Sequence, residues 1–359
     1  MGAVLLFAAH ATTQAALPTY RCTLLQASAQ GGEVIPRAAD RRAVVYGSTE
    51  YVGKPGRRAT KWASFGQPQP LREPASSTGS EVLGIHDGGY WAGYVNDELG
   101  VAQPVLWTKG TPSYLLRLSN TTVRGMAHAV NFGGHAVGFN DLTAPEYHTQ
   151  AVLWKDAQIF RLPGLSSLSG LQRNNEVVSS SAMGINKAGL MVGWSQQTPD
   201  GDAVPVRWTL DRVVHGLSML PGHTGGMAMG VNDSRVIVGE THSYDSSPAS
   251  IRAVAWRDKE TRDLGALPGH LNSSAMAVDS VGHVVGWSES PEGEMRAVWW
   301  PSWTGAPLDL NTRLDTSGCR DASNQPVVLS WAVALGELGV IAAVGRQGNT
   351  ALGFMLKPI

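Results

Sequence analysis

Counted forward from an Asn, Asp or His, an interval of seven residues reaches a Gly six times in this chain and an Ala once. The pairs are Asp40 with Gly47, His86 with Gly93, Asn131 with Gly138, Asn186 with Gly193, Asn232 with Gly239, Asp279 with Gly286, and a degraded Gly336 with Ala343. Most neighbouring pairs lie about 46 residues apart, and an internal repeat of that length implies a propeller or a solenoid before any other architecture.

A second landmark runs in step with the first, an aromatic on a short apolar run: Trp62, Trp107, Trp154, Trp208, Trp256, Trp300 and Phe354. A Leu follows eight or nine residues later, at Leu71, Leu116, Leu162, Leu217, Leu264 and Leu308. Within one unit, residues 274–278, 283–288, 296–300 and 306–310 alternate or run apolar and are separated by turn chemistry. Four short strands, a to d, in about 45 residues make one propeller blade. Between strands a and b, Asn131, Asn186 and Asp279 each open a tight turn that ends on Gly134, Gly189 or Gly282, where positive φ is tolerated. Small residues alternate along strand a (Ala127 and Ala129, Ala182 and Gly184, Ala228 and Gly230, Ala275 and Ala277), as expected where radial sheets crowd an axis. The strand c aromatics are expected to fill the wider gaps between blades, each removing roughly 150 to 250 Å² from water.

The chain ends choose between a closed ring and an open stack. From the strand d Leu to the next Asn-type position is 15 residues in four of six cases, and Leu25 to Asp40 is also 15. Residues 20–26 therefore read as an orphan strand d, while the last unit stops at Ile359 before a strand d of its own. Pairing the two predicts an all-β, seven-bladed propeller over residues 17–359, with the N-terminal strand completing the C-terminal blade and no unpaired inner edge. A solenoid would carry polar caps instead of a split repeat.

The order Leu-Pro-Gly, a Ser/Ala-rich strand, Asn-x-x-Gly-x-Val-Val-Gly and Ala-x-x-Trp resembles the HAF family of bacterial extracellular repeat proteins. The stretches that carry it are 220–239, 267–288 and 151–154. The family's His-Ala-Phe triplet is altered to Gln150-Ala151-Val152, Arg252-Ala253-Val254 and Arg296-Ala297-Val298. This resemblance implies export and brings no catalytic residue or cofactor.

Residues 1–16, apolar to Phe7 and then small and polar to Ala15 and Ala16, read as a signal peptide, though without Lys or Arg at the start. A secreted or periplasmic location follows as the expectation. The formal net charge of -1 and the lack of a basic run argue against nucleic acid as a partner, since phosphate binding needs a concentrated basic face. No stretch reads as a membrane span, the most apolar being broken by Glu337. Only two cysteines occur: Cys22 on the orphan strand and Cys319 in the connection to the blade that strand should complete. Either they are bonded and lock the ring, worth about 4 kcal/mol or more in the chain-entropy model, or they are unrelated thiols.

The a–b hairpin length is constant, whereas the interval from the strand b Gly to the strand c aromatic runs from 11 to 17 residues. Two d–a connections are long, Leu162 to Asn186 and Leu308 to Gly336. Connections of both kinds emerge on one face, where binding residues are expected: Glu146, Tyr147, His148, Arg173, Asn174, Asp200, His242, Tyr244, Asp245, Arg320 and Asp321. His223 and His270 occupy equivalent places after Leu-Pro-Gly and read as a repeat feature, not as a metal pair. No nucleophile elbow, zinc-protease helix motif, Cys-x-x-Cys or phosphate loop is present, and no cofactor is implied.

Two functions remain open. One is an exported binding module recognising a protein or glycan through the long-connection face. The other is a hydrolase or lyase acting on extracellular carbohydrate or lactone, which requires acidic or His side chains at the axial mouth.

Overall fold

In the computed structural model, residues 17–29, 32–63, 65–74, 76–119, 122–143, 148–165, 178–244 and 249–359 are described. They form seven four-stranded antiparallel sheets. Six are continuous in sequence: blade 1 spans residues 34–70, blade 2 79–114, blade 3 122–161, blade 4 180–216, blade 5 225–263 and blade 6 272–309. In the seventh, Tyr20–Leu24 pairs with Thr350–Pro358, which continues through Ile341–Gln347 to Leu329–Leu335. The a strands touch one another in a closed cycle, Val34–Ala39 meeting both Gly79–His86 and Leu329–Leu335. The expected seven-bladed ring, closed by the N-terminal strand, is thus the observed fold. No helix among the described residues is long and apolar enough to cross a membrane.

Every a strand carries a one-residue bulge at the same point, between Pro36 and Ala38, Val82 and Gly84, Ala127 and Ala129, Ala182 and Gly184, Ala228 and Gly230, Ala275 and Ala277, and Ala332 and Ala334. The small pairs read above as plain alternation flank this bulge; they meet adjacent residues of strand b because the residue between them is unpaired. Opposite the first of each pair lies the repeated Gly. A Cβ at Gly47, Gly93, Gly138, Gly193, Gly239 or Gly286 would overlap a strand a carbonyl oxygen, so close approach of two backbones explains the glycine.

The Asn-type residue caps the a–b turn. Asn131 Oδ1 accepts from the amides of Gly133 and His135 at 3.0 and 3.1 Å, Asp279 Oδ1 from Gly282 and His283 at 2.8 Å, and His86 Nδ1 from Gly88 at 3.0 Å. Asn adds a donor that Asp lacks. The Nδ2 groups of Asn131, Asn186 and Asn232 each reach the main-chain oxygen of the next blade's equivalent residue, at 3.2, 3.0 and 2.8 Å, joining blades 3 to 6 in a hydrogen-bonded hoop.

At the outer side, the six strand c tryptophans are at most 3% exposed, and Phe354 is fully buried. Each indole N–H donates to the end of the preceding strand d: Trp62 to Gln26, Trp107 to Arg72, Trp154 to Leu116, Trp208 to Pro163, Trp256 to Ser218 and Trp300 to Leu264, all within 2.6 to 2.9 Å. These aromatics therefore pin neighbouring blades by hydrogen bonding as well as by burial. Two strand d assignments need correction. Leu115, not Leu116, donates to strand c as Leu71 and Leu162 do, and Leu116 is exposed. In blade 6 the longer turn after Trp300 shifts the register, so the fully buried Leu310 takes the place expected of Leu308.

Cys22 and Cys319 are disulfide-bonded, with Cα atoms 5.2 Å apart. The long connection after blade 6 runs back along the outer edge of the closing strand. Leu314 bridges Tyr20, the Asp315 amide donates to Tyr20 O at 2.9 Å, and the Arg313 guanidinium reaches Pro18 O at 2.9 Å. An otherwise open sheet edge is thereby covered.

Candidate functional site

The bulges turn one residue per blade toward the axis: Arg37, Leu83, His128, Met183, Met229, Met276 and Val333. Together with their small neighbours these seven line an axial cavity of about 240 Å³. Two residues earlier along strand a, and so roughly 6–7 Å nearer the long-connection face, lie Ile35, Glu81, Met126, Ser181, Met227, Ser274 and Trp331. Their register partners on strand b are Ser48, Tyr94, Phe139, Trp194, Glu240, Trp287 and Val344. Tyr94, Trp194 and Trp287 are thus partly exposed aromatics at one height on the long-connection side of the cavity, with Phe139 and Trp331 at the same height.

One polar cluster spans blades 1 to 3. Arg37 donates to Glu81 at 2.6 Å, and Tyr94 donates to the other Glu81 oxygen at 3.0 Å, so this nearly buried carboxylate is fully engaged. Burial and the adjacent Glu81 push the Tyr94 hydroxyl up to about 12, keeping it a donor. His128 sits beside Phe139, ring centres 5.4 Å apart, with Nδ1 3.0 Å from the Ala182 carbonyl of the next blade. With its proton on Nδ1, the imidazole holds that carbonyl and presents Nε2 as an acceptor.

Burial lowers the His128 pKa, with only partial opposition from the Ala182 carbonyl. Its folded value lies below the unfolded value of about 6.5, so the stability it contributes is complete above that pH and falls as acid protonates the unfolded chain first. Thermal midpoints should therefore drop from pH 7 to pH 5, and His128→Gln should flatten that slope; an unchanged slope would remove His128 as the cause.

Of the binding residues expected from sequence, Glu146, Tyr147, Arg173, Asn174 and Asp245 lie outside the described residues. His242 and Tyr244 are brought together on blade 5 with ring centres 4.4 Å apart. Among the described residues, buried His242 has no hydrogen-bond partner at Nδ1, with Glu240 4.0 Å away, and its pKa is lowered by burial against the opposing pull of Glu240 and Asp202. Asp200 is exposed in a turn. His148 is buried, with Nε2 3.3 Å from Gln150 Oε1. Arg320 and Asp321 hold a turn: Asp321 Oδ1 accepts from Ser323 and Gln325 at 2.8 Å, and Arg320 donates to Asn324 O at 3.0 Å. Their long connection is engaged in edge covering. His223 and His270 occupy matching Leu-Pro-Gly-His turns, and no group of three metal-ligating side chains occurs among the described residues.

Sequence reasoning missed the axial set, although its signal was present. The residue after the repeated Gly is aromatic in four units, and Arg37 and His128 stand where five other units have Leu, Met or Val.

No family model matches the chain, and no curated protein matches it. Among solved structures, virginiamycin B lyase from Staphylococcus aureus aligns over 95% of this chain and 100% of its own, with a TM-score of 0.51 and 10% identity. A puromycin-hydrolyzing peptidase from Mycobacterium tuberculosis aligns over 87% of this chain with a TM-score of 0.51 and 14% identity, and this chain spans only 49% of that one. At these identities the likeness is one of fold.

Proposed function

We propose that this chain is an exported binding module that takes a glycan at the long-connection mouth of its axial channel. The observation that carries this reading is the recurrence of Tyr94, Phe139, Trp194 and Trp287 at one register position, four of seven blades presenting an aromatic at the same height. Aromatic faces cover the apolar surface of a sugar ring while neighbouring polar groups meet its hydroxyls. The resemblance to the HAF family and the Cys22–Cys319 bond support export, because disulfides persist in oxidising compartments.

The alternative, a hydrolase or lyase, has His128 in its favour, a buried imidazole at the channel. Against it, one of the two carboxylates in that ring, Glu81, already accepts from Arg37 and Tyr94, and the other, Glu240, stands on blade 5, 4.0 Å from His242. The propeller enzymes that share the fold lend their chemistry no weight at 10 to 14% identity.

Titration calorimetry against a panel of envelope and matrix polysaccharides tests the binding proposal. A ligand should emerge whose affinity falls by about 2 kcal/mol for each of Trp194→Ala and Trp287→Ala. Silence across the panel, or binding that ignores both substitutions while the variants stay folded, would refute it; capture of a protein instead would move the assignment to a protein-recognition module.

A further inference from the structure

A second concavity lies off the axis, on the same face, between blades 1 and 2. It measures about 490 Å³, within the range of small-molecule sites, and is formed by the b–c turn of blade 1 and the connection that follows Pro70. Its walls include Leu71 and two prolines, Pro70 and Pro74, whose fixed φ makes the connection stiff.

The charged groups in it are arranged asymmetrically. Glu73 is saturated: Arg58 and Ser77 donate to Oε2 at 2.7 and 2.6 Å, and Ser80 donates to Oε1. Arg58, with a side chain only 9% exposed, makes all its hydrogen bonds through Nη1, to Glu73 and to both oxygens of Ser77. Among the described residues its buried Nε has no acceptor, and no hydrogen bond is made by Nη2. Lys54, on the rim, has no ion-pair partner among the described residues. Thr60 gives its hydroxyl proton to Arg58 O at 2.8 Å, so the Tyr51 hydroxyl, 3.3 Å from Thr60 Oγ1, donates there and keeps lone pairs facing the pocket. The pocket therefore offers unsatisfied donors and a net positive charge, with its one carboxylate already consumed. Buried donors in this state call for an acceptor.

We propose that this pocket binds a carboxylate-bearing molecule of monosaccharide size, of the uronic acid type. The carboxylate meets Lys54 and the Arg58 edge, the Tyr51 and Ser77 oxygens accept from sugar hydroxyls, and the proline wall packs the apolar face. This site is separate from the axial mouth and goes beyond the function proposed above.

Titration calorimetry of the intact protein with glucuronate and galacturonate, against glucose and galactose, decides it. The acids should bind with a dissociation constant of about 1 mM or tighter and the neutral sugars at least about tenfold more weakly. Lys54→Met, at an exposed turn, should weaken the acids about tenfold and Tyr51→Phe less, with melting temperatures unchanged. The double variant Trp194→Ala/Trp287→Ala should leave uronate binding intact, which separates this pocket from the mouth. Equal binding of acid and neutral sugars, indifference to Lys54→Met, or no heat from either acid at roughly 20 mM would overturn the proposal.

Discussion

Reducing the Cys22–Cys319 bond, or replacing both cysteines by serine, should lower the unfolding free energy by about 6 kcal/mol, the chain-entropy value for cross-linking residues 297 apart. The loss should also be local in character. Tyr20–Leu24 is a single outer strand held by its pairing with Thr350–Pro358, by Leu314 and Asp315 along its free edge, and by this bond. Once the bond is cut, the strand can leave while six blades persist, so hydrogen exchange should quicken first in residues 20–24 and in the facing Phe354 to Pro358. Guanidinium unfolding with and without reductant, followed by exchange, checks both parts. A change below about 1 kcal/mol would mean that edge covering by the 310–328 connection is sufficient to hold the ring closed.

The second large effect concerns the repeated glycine. Gly193→Ala places a methyl against the Ser181 carbonyl oxygen at the point where strands a and b approach most closely. Neither backbone can retreat without disturbing the bulge and its neighbours around the ring, so a cost of about 4 kcal/mol or more is expected, at the diagnostic end of single substitutions. Blade 7 supplies an internal control. There Ala343 faces Ala332 in place of the glycine, and a second register shift falls between Leu329 and Trp331. Ala343→Gly should accordingly cost only about 1 kcal/mol, the backbone-entropy difference. Comparable losses from the two substitutions in thermal or chemical unfolding would show that close approach at the bulge is not the reason for the glycine.

The repeat made much of the fold legible. Blade number, strand count and closure all followed from intervals between landmarks that packing forces into every unit: the turn-capping Asn, the Gly of close approach and the wedge Trp. Where one unit departed in length, the interval misled. Leu116 and Leu308 sit one residue after and two residues before the true strand d leucines, because turn length shifts the count while register depends on pairing. The candidate site was harder to see. Loop length pointed to Arg320 and Asp321, yet their connection is long because it must cover an edge strand and reach Cys319. Glu81, Arg37, His128 and the Tyr94–Trp194–Trp287 set lie on strands, where apolar alternation drew attention to core packing instead.

The sequence alone determined that the chain is a sevenfold all-β repeat whose first strand completes its last blade, because each unit is a local unit with the same steric and hydrogen-bonding demands. It also supplied the two cysteines at positions where a bond could form. Only the tertiary structure decided which residues share a space: that seven bulged residues face one channel, that Arg37 of one blade saturates Glu81 of the next, and that Tyr51, Lys54 and Arg58 line a pocket with a consumed carboxylate. Such groupings join residues of different repeats, and their distances are set by how radial sheets pack around an axis rather than by any interval along the chain.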